Sequence, residues 1–433
     1  MSETKDEPIY KKAYDKIHYR LIHVFSKTIL ISLIVGIISG FMMVLFNTLL
    51  ITFRLAFSYL PYFIGPLIAG GLTSILVKYG KFRNIMGSGD EQFVTEVTSS
   101  ELDFKVTPNL FMKTLATSWT FGSGMICGRE GPGILIGANI GFLLSKRLNL
   151  EREDFVFIGA SACVGALLKI PISGPLFVAE LPYTNNLNYK ALIPSILAST
   201  VAYTIYCLFF EFTPLVQIDA LSINLEKVNY LLILHLLLAF GVFIGFIILG
   251  FTLLLKSFSR ITEKLLEPKP GIWILPFIGG IAYSVLLLIV IPLNPNYREF
   301  LIGPETSIIT VFVYIVGSLT WYVLLIITIL FLIGIMCSIG TMNSAGLIMP
   351  LIIFGALIGG LFGALFCPEY IELFVLIGMA AALGAATNCP IAAIFMVVEM
   401  TWIPLLFVPA GIVTILAYLI NNPTSIVHKQ QTK

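Results

Sequence analysis

The 433-residue sequence predicts an all-α integral membrane protein built from two repeated halves. Three observations predict it: apolar runs too long and too poor in charge for a soluble domain, glycine–proline breaks within those runs, and one motif set that recurs at a near-constant offset. Hydrophobic residues make up 58% of the chain and charged residues 12%, about half the charge fraction of a soluble domain. Residues 28–53 and 236–255 carry no charge, and 306–368 pass without Asp, Glu, Lys, Arg or His. Stretches 373–398 and 400–427 follow, separated by Met400's neighbour Glu399. A bilayer core about 30 Å thick is crossed by about 20 apolar residues, so the chain spans the membrane many times.

The first element, 1–27, is polar and carries Lys5, Lys11, Lys12, Lys16 and Arg20, with no small-residue cleavage site after the apolar run that follows. It is therefore no signal peptide. A cytoplasmic arm is expected, with an amphipathic surface helix over 10–25. The basic segment 256–269, read as a loop, and the tail 426–433 with Lys429 and Lys433 fall on the same side by the excess of Lys and Arg on inner loops. Segments 211–226 and 294–305 are poor in both and suit the outside. Both termini inside a cell membrane require an even number of crossings.

Composition excludes several classes. The six cysteines, Cys127, Cys163, Cys207, Cys337, Cys367 and Cys389, lie scattered, mostly in apolar runs, without CxxC or Cys/His spacing. They read as small buried hydrophobes, with no metal, cofactor or disulfide framework expected. A net charge of +2 without a basic tract gives nucleic acid no purchase. Neither HExxH nor GxSxG occurs, and of His18, His23, His235 and His428 only His235 falls in an apolar segment, so no enzyme is expected. A cation-coupled solute symporter is disfavoured because acidic residues hardly occur in the apolar core.

The repeat is the most informative element. Gly128-Arg129-Glu130-Gly131-Pro132, with Gly137, Ala138 and Gly141, shares the pattern GxxxPxxxxGAxxG with Gly346-Leu347-Ile348-Met349-Pro350, Gly355, Ala356 and Gly359. Downstream, Gly165, Pro171 and Glu180 match Gly384, Pro390 and Glu399 with identical spacing. The offset is 218 residues for the first block (Gly128 to Gly346) and 219 for the second (Gly165 to Gly384). Two blocks in one register divide the domain 28–425 into halves of about 28–210 and 229–425. Paired halves mark transporters and related channels that bind substrate near the midplane. A helix that begins at such a break points orphan N–H groups and partial positive charge into the gap. Several starts around one cavity make an anion site without a cation. Gly137, Gly141, Gly355 and Gly359 instead suit close helix packing.

Function is expected where the symmetry breaks. Glu130 has Ile348 as its counterpart, and a lone carboxylate beside an anion-attracting helix start is a functional candidate. Neighbouring Arg129 should point about 100° away from it. Glu180 and Glu399 occupy equivalent positions and suit a structural role, such as capping N–H groups. Lys113, Lys169 and His235 read as snorkelling or buried-paired residues.

These motifs resemble those of the CLC chloride channels and chloride/proton antiporters over roughly 28–425. Gly128 to Pro132 is similar to that family's GREGP signature, Gly87-Ser88-Gly89 to the start of its GSGIP motif, and Gly346 to Pro350 to its GxFxP motif, with Ile348 in place of phenylalanine. The segment 384–401 is similar to its penultimate block. The resemblance implies a homodimer with one pore per subunit, each pore formed by two inverted halves of tilted, broken helices. It places a chloride on Ser88, within Gly87 to Gly89, and on the amides of Leu347 and Ile348. Arg129 and Gly131, on either side of the gating Glu130, are expected to join the anion-binding residues. Serine at 88 implies chloride rather than nitrate, and the intact GREGP pattern implies a member not specialised for fluoride.

The departures carry as much meaning. Asp90-Glu91-Gln92 replaces the expected Ile-Pro-Glu after Gly89. Leu181 stands where antiporters keep an inner proton-entry glutamate. Thr424 and Ser425 stand where the inner-gate tyrosine is expected. No cytoplasmic CBS pair is expected. The sequence therefore favours uncoupled or weakly proton-coupled chloride movement gated by Glu130, with a chloride/proton antiporter using a different proton path as the alternative.

Overall fold

The computed structural model describes residues 26–80, 82–99, 107–148, 152–183, 186–216, 230–265, 269–303, 320–422 and 424–427. Residues 1–25 of the expected arm over 1–27, the segment 217–229 and the tail from 428 lie outside the described residues. Among the described residues the chain is helical throughout. The first half contains α1 (Ser26–Ser58), α2 (Ile64–Gly80), α3 (Gly89–Val97), α4 (Thr107–Gly122), α5 (Glu130–Leu148), α6 (Arg152–Leu167), α7 (Ser173–Glu180) and α8 (Tyr189–Phe210). The second contains α9 (Tyr230–Leu265), α10 (Leu275–Leu293), α11 (Arg298–Leu301), α12 (Trp321–Ser338), α13 (Ile348–Phe366), α14 (Ile371–Thr387), α15 (Pro390–Thr401) and α16 (Phe407–Asn421).

Eight helices among the described residues are long and apolar enough to cross a bilayer. Their burial sorts them into layers. The most apolar window of α13 is 89% buried and that of Pro368–Thr387 83%, against 33–50% for the other six. So α13 and α14 form the centre, while α1, α8, α9, α10, α12 and α16 wrap it. The wrapping helices turn bare apolar side chains outward, such as Leu293 (75% exposed) and Leu208 (71%). Hydrocarbon suits such a surface, since helices satisfy most of their backbone polar groups internally. The basic segment expected as a loop from 256 is instead the last turns of α9, which run to Leu265. Lys256 and Arg260 can stay helical there because their stems lie along the helix while their charges reach its polar end.

The packing follows the repeat. In the first half, a Cβ on Gly137 would strike the carbonyl oxygen of Gly159, and one on Gly141 that of Phe155, so α5 meets α6 at backbone distance. In the second half, Gly355 stands equally against Gly378 and Gly359 against Phe374, which joins α13 to α14. A further pair escaped the sequence reading. Gly70 of α2 packs on the carbonyl of Pro276, and Gly280 of α10 on that of Pro66, so the two segments containing PxxxG seat on each other. Their offset of 210 residues (Pro66 to Pro276) differs from that of the other blocks, so one fixed register hides them.

The halves are also stitched by hydrogen bonds between equivalent residues. Gly128 and Gly346 exchange both N–H···O bonds at 2.7 Å, an antiparallel bridge between the first residues of the two matched motifs. Glu180 Oε2 accepts from the Ala392 N–H at 2.9 Å, at the start of α15. Glu399 accepts from the Ile172 and Ser173 N–H groups at 3.0 and 2.8 Å and from the Ser173 hydroxyl at 2.5 Å, at the start of α7. Each half thus caps a short helix of the other, as first-turn N–H groups require.

Candidate functional site

Three helix starts converge at the bridge. α5 begins at Glu130 and α13 at Ile348, equivalent positions of the two motifs, and α3 begins at Gly89. Gly89 packs on Gly131, where a Cβ would meet the Pro132 nitrogen at 2.8 Å. Gly131 packs in turn on Gly346, with 3.3 Å between its Cβ position and the Gly346 Cα. Side chains at these glycines would push the starts apart. Held together, they bring three helix N-termini, whose first-turn N–H groups have no partner within their own helix backbone, into one region, which favours an anion.

Glu130 is the charge in this setting. It is fully buried, and neither carboxylate oxygen has a hydrogen-bond partner. The carboxylate folds back over Gly128, whose Cβ position it would occupy. Arg129 does not turn wholly away, as helix geometry alone suggests: its Nε stands 4.0 Å from Glu130 Oε1. The rest of its guanidinium donates to Asn47 Oδ1 at 2.5 Å and to the Leu167 carbonyl at 3.2 Å, which ties the motif to α1 and α6. The chain entering α5 is pinned from the second half. The Tyr283 hydroxyl accepts from the Ile126 N–H at 3.0 Å and donates to the Leu301 carbonyl at 2.6 Å, and the Ser338 hydroxyl donates to the Ile126 carbonyl at 2.5 Å.

Ser88 caps α3 in an extended conformation (φ −81°, ψ 145°), yet its hydroxyl makes no capping hydrogen bond to that helix. Gly87 has φ +71°, a left-handed conformation that suits glycine. Its carbonyl, with that of Ile85, accepts from the buried Lys113 ammonium at 2.6 and 3.0 Å. Lys113 thus draws two carbonyl dipoles to itself on the side opposite the helix N–H groups. Lys169 plays a separate structural part, donating to the Phe210 and Glu211 carbonyls at 3.0 and 2.9 Å at the end of α8. His235 is exposed on α9.

A cavity of about 710 Å³ reaches this region from the end where α9 terminates. Its wall includes Gly87, Ser88 and Leu347, joining residues from both halves that the sequence singled out, with Asn139 of α5 and the basic Lys256 and Arg260. Arg129, Glu130, Gly131 and Ile348 lie outside that wall. Neither Thr424 nor Ser425 lines it. The Thr424 hydroxyl donates to Asn421 Oδ1 at 2.7 Å, and the Ser425 hydroxyl accepts from the Val427 N–H at 3.2 Å. Ile426 takes the place in the wall, its N–H bonded to the Ala386 carbonyl at 2.9 Å. Leu181 is fully buried in the apolar core at the end of α7.

A family model described as voltage gated chloride channel matches residues 74–422. The chain belongs to this family, the CLC channels and chloride/proton antiporters. An Escherichia coli relative, the voltage-gated ClC-type chloride channel ClcB, is 26% identical over 349 residues, 77% of each chain. An uncharacterised protein of Methanocaldococcus jannaschii is 25% identical over 339 residues, 77% of this chain and 79% of that one. Among solved structures, a CLC-type fluoride/proton antiporter superposes with a TM-score of 0.76 at 24% identity, covering 94% of this chain and 98% of that one. A slow cyanobacterial chloride/proton antiporter also gives 0.76, at 18% identity, covering 92% and 94%. The fold is accordingly the CLC fold of two inverted repeats.

Proposed function

We propose that the chain moves chloride between Ser88, the first amides of α13 and the start of α5, with Glu130 as the ionisable gate and without tight proton coupling. The observation that carries this reading is Glu130: fully buried, without a hydrogen-bond partner, at a helix start that attracts anions. A carboxylate there competes with chloride for the same N–H groups, and its protonation or displacement clears the way. Weak coupling is favoured by Leu181, which offers no proton acceptor at the end of α7 and sits in a closed apolar core. Chloride as the anion is favoured by Ser88, by the intact motif around Glu130 and by the name of the Escherichia coli relative. A homodimer in the cell membrane with cytoplasmic termini completes the proposal.

A chloride/proton antiporter is the second reading, favoured by the fold shared with two antiporters. One experiment separates them. The purified protein is reconstituted in liposomes under a chloride gradient, and chloride efflux and external pH are recorded together. Efflux without proton movement is expected. Uphill proton movement would replace this reading with the antiporter, and no chloride flux at all would remove both.

A further inference from the structure

Asp90 directly follows Gly87-Ser88-Gly89. It is the second residue of α3, two positions after Ser88, and only 4% exposed. An aspartate in a first helical turn is usually a solvated partner for the helix dipole. Asp90 differs in two ways. Its Oδ1 is buried without a hydrogen-bond partner and faces α5, 2.9 Å from the position a Cβ on Gly131 would take. Its carboxyl also lies beside the Ser88 hydroxyl, which leaves its own helix uncapped. Glu130 and Asp90 therefore meet opposite ends of one short segment, Glu130 folding over Gly128 and Asp90 abutting Gly131.

The charged groups around Asp90 do not cancel it by direct pairing. Lys113 of α4 attracts it electrostatically, but the ammonium is hydrogen-bonded to the carbonyls of Ile85 and Gly87. α5 contributes Glu130, and α3 itself contributes Glu91 and Glu96, which line the cavity opposite Lys256 and Arg260 of α9. A buried carboxylate that holds the Ser88 hydroxyl and the first N–H groups of α3 occupies what a bound anion would use.

We propose that Asp90 is a second tethered anion of the pathway: its carboxylate competes with chloride for the Ser88 hydroxyl and the helix starts around it, and a proton taken up from the cavity side relieves the competition. The proton adds to the carboxylate to give the neutral acid and returns to the cavity when the acid ionises. The proposal rests on chloride passing between Ser88 and Glu130.

The test isolates Asp90 by first neutralising the other carboxylate. Chloride binding to the detergent-solubilised full chain is measured by calorimetry across the pH range in Glu130→Gln and in Glu130→Gln/Asp90→Asn. Glu130→Gln is expected to bind chloride more tightly as pH falls. The double variant is expected to lose that slope and to bind about tenfold or more tightly at alkaline pH, since one unit charge has gone from the site. A flat pH profile in Glu130→Gln, which needs no change at Asp90, overturns the proposal, as does a slope retained in the double variant. Absence of chloride binding from every form overturns the chloride reading as well, so the two failures are distinguishable.

Discussion

The motif at 128–132 and its counterpart at 346–350 are built alike and used differently. Both begin at a glycine of the central bridge, both start a long buried helix two residues later, and both then pack that helix through two glycines on the next. At the third position one carries Glu130 and the other Ile348, both fully buried. The first is a charge with no hydrogen-bond partner, and the second fills apolar space. The comparison teaches that the repeat supplies a symmetric frame of helix starts and that the two halves differ within it by a buried carboxylate at one start. Glu180 and Glu399 give the control. They are also intramembrane carboxylates, but their symmetry is kept and their oxygens cap backbone N–H groups.

The comparison can be broken most directly by restoring symmetry. Ile348→Glu would place a second carboxylate at the start of α13, and neutral-pH chloride efflux from liposomes should fall about a hundredfold. Acidification should recover it. Unchanged efflux in a well-folded variant would mean that the asymmetry at this position is not what gates the pathway.

A smaller effect sharpens the symmetric side. Gly137→Ala and Gly355→Ala each press a methyl onto a carbonyl of the facing helix. Each should cost about 1–3 kcal/mol, the range for overpacked cores. Thermal unfolding in detergent should register nearly equal losses. A large inequality would show that the halves do not share the frame equally.

The smallest expected difference lies between the caps. Glu399 accepts two backbone N–H groups and the Ser173 hydroxyl, whereas Glu180 accepts only backbone N–H groups, those of Ala392 and Ile391. Glu399→Gln should therefore lose more stability than Glu180→Gln, by about 1–2 kcal/mol at the usual worth of a charge-assisted bond. The same unfolding measurement checks it, and the reverse order would show that Glu180 carries more than a cap.

Much of this was legible along the chain because it is local. Charge-free runs announce spans, and a glycine followed four residues later by proline announces a helix start wherever it occurs. The matched spacing of Gly165, Pro171 and Glu180 with Gly384, Pro390 and Glu399 announced two equivalent caps, though not that each would serve the opposite half. The Pro66 and Pro276 pair is not legible in the register of the other blocks because its offset differs, and it shows only where several offsets are allowed. Asp90 was visible as a departure from the family pattern, but nothing local revealed that its carboxyl faces α5. Spacing from Pro423 points to Thr424 and Ser425, whereas the turn after α16 puts Ile426 into the cavity wall.

The sequence by itself determined that this is a many-span helical membrane protein with two matched halves, helix starts within 128–132 and 346–350, and a carboxylate at Glu130 without a counterpart in the second motif. These follow from composition and from spacings of a few residues, which backbone geometry reads directly. Only the tertiary structure decided that Gly128 bonds to Gly346, that Glu180 and Glu399 cross between halves, and that Ser88 and Leu347 share a cavity with Lys256. Those contacts join residues far apart in the chain, and their geometry depends on how closely glycine lets one backbone approach another. No local pattern contains that distance.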